Sequence, residues 1–212
     1  MDTVKIIYED AQILVAGKPA GLAVQTKKIA EEDLESLLRK KLKNSNLAPI
    51  TRLDQPVEGL VLFAKTKEAA AKLTKQLTEH SMQKIYLAGI YGSFGEGAKG
   101  SLKDRLYKDG RSNTSKVVLP GDSCYAEGKD SALNYEEISP GELRIELLTG
   151  RHHQIRVQLA NAGHPILGDT KYGSEKSREE TARLGIKRLM LTAKELEFKH
   201  PVTGKIMHFI YE

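Results

Sequence analysis

The sequence predicts an α+β domain built on a mainly antiparallel sheet, and three observations carry that reading. Short alternating segments recur in pairs, separated by turns rich in Gly, Pro or Asp, so hairpins outnumber strand–helix–strand repeats. Two other segments, residues 31–43 and 67–80, place apolar residues at helical spacing. The 212-residue chain has no internal repeat, low-complexity tract or long linker, so a single domain over residues 1–212 is the simplest expectation.

Taken in order, residues 4–9 and 12–16 alternate as short strands joined by a polar Glu9-Asp10 turn. Lys18-Pro19-Ala20-Gly21-Leu22 reads as a turn, with Pro and Gly at the breaking positions. In residues 31–43, Leu34, Leu37, Leu38 and Leu42 share one helical face. Thr51-Arg52-Leu53-Asp54 then forms a turn leading into Gly59-Leu60-Val61-Leu62-Phe63-Ala64-Lys65, an apolar run that reads as a buried strand. The helix over 67–80 turns Ala70, Leu73 and Leu77 inward. Residues 84–92 read as a strand ending in a Gly-rich turn, and further strands are predicted at 114–118, 132–138 and 142–148. Residues 152–162 read as a helix with Ile155, Leu159 and Ala162 on one face and Gly163 as its stop. Strands at 188–192, 195–198 and 206–210 close the chain, with Pro201 and Gly204 turning between the last two.

No stretch approaches the ~20 apolar residues of a membrane span. The N-terminus starts directly with strand-like sequence, so no signal peptide is expected. The single cysteine, Cys124, has no internal disulfide partner and no metal-ligand spacing around it, which fits a reducing cytoplasm. A net charge of +5 biases binding toward polyanions. The excess is concentrated in residues 99–116, where Lys99, Lys103, Arg105, Lys108, Arg111 and Lys116 face only Asp104 and Asp109.

Three constellations stand out. Arg52 and Asp54 alternate on an extended segment, so both side chains reach toward one cleft or form a structural ion pair. A carboxylate before a buried strand is costly unless something keeps it charged. In Thr149-Gly150-Arg151-His152-His153-Gln154-Ile155-Arg156, the two arginines do not share a helical face. One is free to meet a buried acid while the other meets solvent or phosphate. The adjacent histidines diverge on a helix and lack the converging partners that zinc requires, so no metal is expected. Tyr86, within a short apolar strand, is either core or a flat wall on which a base stacks.

These residues carry a family resemblance. The stretch Thr51-Arg52-Leu53-Asp54 with Gly59 to Thr66 resembles the His-Arg-Leu-Asp motif of RluA-type pseudouridine synthases. Residues 84–88 look like their tyrosine motif. Residues 149–157, with Gly163-His164-Pro165-Ile166 and Gly168-Asp169, are similar to their arginine motif and its sequel. Residues 189–205, ending His200-Pro201-Val202-Thr203-Gly204, resemble their C-terminal signature. The four motifs occur in family order along nearly the whole chain.

The resemblance implies the pseudouridine synthase catalytic fold, without a separate N-terminal RNA-binding domain, and isomerisation of uridine in rRNA or tRNA. It matches Asp54 to the catalytic aspartate, Tyr86 to the active-site tyrosine and Arg156 to the arginine that pairs with the aspartate. Arg52 matches the arginine that enters the RNA beside the target nucleotide. Arg151 and the basic residues Lys103, Arg105, Lys108 and Arg111 are candidate RNA contacts. The chain departs from the family pattern at four places. Thr51 replaces the usual histidine, Val57-Glu58 stands where Thr-Ser is common, and Gln158 and Thr192 replace frequent histidines. No cofactor or metal is implied, the partner is RNA, and a monomer is the default. A non-catalytic RNA-binding protein on the same scaffold is the competing reading. An aspartate-dependent glycoside hydrolase would need a second cooperating carboxylate, and no second acid stands out in these motifs.

Overall fold

The computed structural model describes residues 4–26 and 31–212. In chain order the elements are β1 (Lys5–Glu9), β2 (Ile13–Lys18), α1 (Leu34–Leu42), β3 (Ala48–Pro49), β4 (Glu58–Ala64), α2 (Lys67–Thr78) and β5 (Gln83–Gly89). They continue as β6 (Lys99–Asp109), β7 (Thr114–Val117), β8 (Lys129–Ser139), β9 (Glu142–Leu147), α3 (Gln154–Asn161), α4 (Glu175–Arg183), β10 (Leu191–Lys199) and β11 (Ile206–Ile210). They fall into two compact units. The first holds the chain up to Lys84 together with Thr192–Glu212, and the second holds Ile85–Leu191. The α+β class is as expected.

In the first unit, β2 lies between β1 and β4, antiparallel to both, while β4 meets β10 in a short parallel pairing. Alternation sorts the side chains of β2 and β4 into two cores. Ile13, Val15, Leu60, Leu62 and Ala64 pack with Ala69 and Leu73 of α2. Leu14, Ala16, Val61 and Phe63 pack with Leu34 and Leu38 of α1. A helix on each face explains why β4 reads as an unbroken apolar run. Burial of each Leu or Phe contributes about 1.5–3 kcal/mol.

Capping sets where the two helices begin. The Asp33 carboxylate accepts the Ser36 N–H in a capping box, so α1 starts at Leu34 rather than residue 31. Thr66 caps α2 by accepting the Ala69 N–H.

β10 is one continuous strand where the sequence suggested two. Its start pairs with β4 through Thr192 and Ala193, and residues from Glu195 onward pair with β11. The β4–β10 contact depends on Gly59, whose φ is +124°; a Cβ there would sit 2.3 Å from the Ala193 carbonyl oxygen. Gly59→Ala is therefore expected to cost about 3 kcal/mol through backbone strain and steric overlap. That lowers the thermal midpoint by roughly 6–12 °C. An unchanged melting curve would show that the two strands part easily.

The second unit is an antiparallel sheet in the order β5-β9-β8-β6-β7, with α3 packed on β6 and β7. Two of its elements were not anticipated. β6 escapes the period-2 test because its outer face is charged and Asp104 interrupts the inner one. α4 has almost no apolar face, since its buried residue is Ser177. Its start is capped by Ser174, and Arg183 pairs with Glu180 at 2.6 Å. Among the described residues, no helix is long and apolar enough to cross a membrane.

Candidate active site

Asp54 lies in the first unit, half-buried, in a turn closed by the Val57 N–H donating to the Asp54 carbonyl at 3.0 Å. Arg52, two residues earlier, is exposed. Thr51 is buried, and its hydroxyl oxygen accepts the Leu62 N–H at 2.9 Å. Its own N–H donates to the Leu62 carbonyl at 3.3 Å. The residue that departs from the family histidine thus ties the Arg52–Asp54 segment to β4. Two other departures compensate each other, because the Thr192 hydroxyl donates to the Glu58 carboxylate at 3.4 Å.

The turn after β2 braces the Asp54 segment. The Gly21 N–H donates to the Gln55 carbonyl at 2.8 Å, and the Gln55 side-chain amide donates back to the Gly21 carbonyl at 3.0 Å. Lys18 is fully buried here, and its Nζ donates to the carbonyls of Pro19, Leu22 and Gln55 at 2.9, 2.7 and 3.0 Å. Burial pulls its pKa down to about 8, against the opposing pull of the Asp54 and Glu58 charges. The sequence reading took Lys18 only as a turn residue. The available signal was its position directly after the buried Ile13–Gly17 run.

In the second unit, Tyr86 is buried on β5 opposite Ile145 of β9. Arg156 sits on α3 with 3% of its surface exposed. Its Nε and Nη2 each donate to Asp169 at 2.8 Å, a bidentate pair with an acid whose side chain is fully buried. Burial alone would raise the Asp169 carboxyl. The Arg156 hydrogen bonds and charge, with the Tyr172 and Lys171 backbone N–H groups, instead hold it below the usual carboxylate value. The Arg156 guanidinium also lies over the Tyr172 ring, 5.1 Å from its centroid. Asp169 and Tyr172 therefore set the plane in which Arg156 can act. In the sequence, Asp169 is only the last residue of the Gly168-Asp169 motif segment, with nothing to show its pairing with Arg156.

A second set of contacts supports Tyr172. Its hydroxyl accepts the Ser115 N–H at 2.8 Å and meets His153 Nδ1 at 2.7 Å. Burial, with the Arg156 charge, drives the His153 pKa down to about 3, so the ring is neutral. His152 contacts the Ser115 hydroxyl at 2.9 Å and stacks on His153 with centroids 3.7 Å apart. The two histidines do not diverge as a helix would require. They precede α3, and His153 adopts left-handed φ of 54°. The fourth departure, Gln158, donates to Asp104 on β6 at 2.7 Å and so ties α3 to the sheet.

Strand alternation divides the basic run. Asp104 faces α3, so its neighbours Lys103 and Arg105 point to the opposite face, while Lys108 shares the α3 side and Arg111 lies at the hairpin tip. Lys103, Lys108 and Arg111 are exposed. Arg105 is engaged within the protein. It pairs with Asp130 at 2.8 Å, donates to the Tyr125 carbonyl at 3.0 Å and stacks over the Tyr125 ring at 4.9 Å. Exposed Arg151 joins the same neighbourhood by donating to the Asp130 carbonyl at 2.9 Å.

Residues 12–161 match the RNA pseudouridylate synthase family. The chain is 34% identical over 208 residues to the ribosomal large subunit pseudouridine synthase C of Pasteurella multocida, covering 96% of this chain and 62% of that protein. It is 32% identical over 219 residues to the tRNA pseudouridine synthase C of Haemophilus ducreyi, covering 93% and 86%. Against the Escherichia coli ribosomal large subunit pseudouridine synthase C, identity is 37%, with 64% of the relative spanned. The chain thus spans a little under two thirds of the ribosomal-type relatives. Among solved structures, human RNA pseudouridylate synthase domain containing 1 shares the fold. Its TM-score is 0.79 at 23% identity, covering 100% of this chain and 84% of that one. The order of the motifs, the fold and these relatives lead to one conclusion: the chain belongs to the RNA pseudouridylate synthase family.

Proposed function

We propose that this protein isomerises uridine to pseudouridine within structured RNA, ribosomal, transfer or both, with Asp54 as the catalytic carboxylate. The observation that carries the reading is the braced turn that presents Asp54, in a chain of this family. The family match runs through residues of both units, which supports reading them as one catalytic domain.

In the proposed reaction the C1′–N1 bond breaks, the uracil turns, and a C5–C1′ bond forms. C5 loses its proton and N1 gains one, so no redox partner or imported group is needed. Asp54 acts at the sugar as nucleophile or base and must be ionised. Arg156, held in plane by Asp169 and Tyr172, is by its family motif the arginine of the catalytic set, and it keeps its charge at every working pH. Tyr86 offers a flat wall to the uracil, which must first leave its stack at a cost of a few kcal/mol. Arg52 fills the vacated space, and the exposed Lys103, Lys108, Arg111 and Arg151 hold phosphates with Arg105 as their support.

The test is tritium release from RNA labelled at uridine C5, run separately on ribosomal and transfer RNA. Release from either establishes the reaction and narrows the substrate. Binding to both without release would favour a non-catalytic RNA binder.

A further inference from the structure

Lys18 holds a protonated amine inside the first unit without an ion-pair partner at its donors. Its three N–H groups each meet a backbone carbonyl, and two of those carbonyls, Pro19 and Leu22, belong to its own turn. The third belongs to Gln55, the residue after Asp54. The same carbonyl also accepts the Gly21 N–H, so two donors from the turn after β2 converge on one oxygen beside the carboxylate. An apolar side chain of this length would remove the Lys18 donor from the part-buried carbonyls of Pro19 and Leu22 and leave Gln55 with the Gly21 N–H.

We propose that Lys18 is a positioning residue for Asp54: its buried ammonium gathers the carbonyls of Pro19, Leu22 and Gln55, fixes the turn that carries the carboxylate, and favours its ionised form. The proposal rests on the reading of Asp54 as the catalytic group. The charges that act on Lys18 are Asp54 in the turn and Glu58 at the start of β4, and both favour its protonated state. By reciprocity, the Lys18 charge favours Asp54 as carboxylate.

The positioning has a pH limit. With a pKa of about 8, against 10.5 for a free lysine, Lys18 loses its proton in mildly alkaline solution. The amine then has one donor fewer and no charge, and the turn loosens around Asp54. The stability sign runs the other way. Between about 8 and 10.5 the unfolded chain binds more protons at this site than the folded one, so the Lys18 contribution to stability rises with pH. Activity is therefore expected to fall above pH 8 with no accompanying loss of fold from this group.

The experiment compares pH–rate profiles of wild type, Lys18→Arg and Lys18→Met on the RNA that supports tritium release, with thermal unfolding at each pH. Wild type is expected to show a descending limb in kcat near pH 8. Lys18→Arg, which stays charged throughout, loses that limb. Lys18→Met loses about 10²-fold in kcat at every pH, has no limb near 8, and keeps its KM within a small factor. Should the arginine fail to fold in so close a site, the methionine profile decides alone. The proposal is overturned by a limb at the same pH in the variants, by its absence in wild type, or by wild-type kcat in Lys18→Met. Asp54→Asn is run in parallel. If it stays active, the reading of Asp54 fails; if it is inactive while Lys18→Met matches wild type, only the Lys18 role fails.

Discussion

Asp54→Asn is expected to lose about 10³-fold or more in pseudouridine formation and to bind RNA much as wild type does. The substitution is nearly isosteric and removes a charge that the proposed reaction needs at the sugar. Contacts that shape the turn are made by backbone groups, by Gln55 and by Lys18. They include the Val57 N–H to the Asp54 carbonyl and the reciprocal pair between Gln55 and Gly21. None of these uses the Asp54 carboxylate, so these contacts persist in the variant. Tritium release measures the chemistry, and filter binding on the same RNA measures affinity. Substantial turnover in the variant would remove Asp54 from the mechanism. A parallel collapse in affinity would recast it as a binding or structural group.

Arg156→Ala is the change expected to cost most in stability. Arg156 and Asp169 form a bidentate pair in which both side chains are almost wholly buried. Truncating the arginine leaves the Asp169 carboxylate in the interior with only backbone donors from Lys171 and Tyr172, at a cost of about 3–5 kcal/mol. For a chain of this size the thermal midpoint falls by roughly 6–20 °C. Activity is expected to be lost even at temperatures where the variant is folded, because the arginine of the proposed catalytic set is gone. Arg156→Lys keeps a charge but not the planar two-point fit, and retains part of both stability and activity. Equal melting and equal rates for the three proteins would contradict the assignment. The same pair sets an acid limit. The Asp169 pKa is depressed in the folded state, so its contribution is complete above the ordinary carboxylate value of 3.8 and declines as the pH falls below it toward the lowered folded value.

Local patterns made much of the first unit legible. Leu34 and Leu38, and Leu73 and Leu77, declare amphipathic helices because one face of each must leave water, although Ala69 is buried where the spacing pointed to Ala70. The unbroken run at Leu60–Ala64 declares a strand covered on both faces. The second unit was harder to read. β6 pairs its backbone with β7 across a short hairpin and with β8 farther along the chain, while the charge on its outer face hides the alternation. α4 is capped at its start but presents almost nothing apolar.

The candidate site divides in the same way. Arg52, Asp54, Tyr86 and Arg156 are proposed through the resemblance of short motifs, which keep their residues close along the chain. Their supports are not found that way. Lys18 reaches Gln55, 37 residues away, and the Ser115 N–H reaches Tyr172 across 57. The sequence by itself determined the α+β class, the order of the motifs and the residue types available for catalysis. Only the tertiary structure decided that Lys18 is buried beneath the Asp54 turn and that Asp169 and Tyr172 orient Arg156. The physical reason is that periodicity reports which side chains leave water, whereas the partner of a buried charge is chosen by where the chain returns in space.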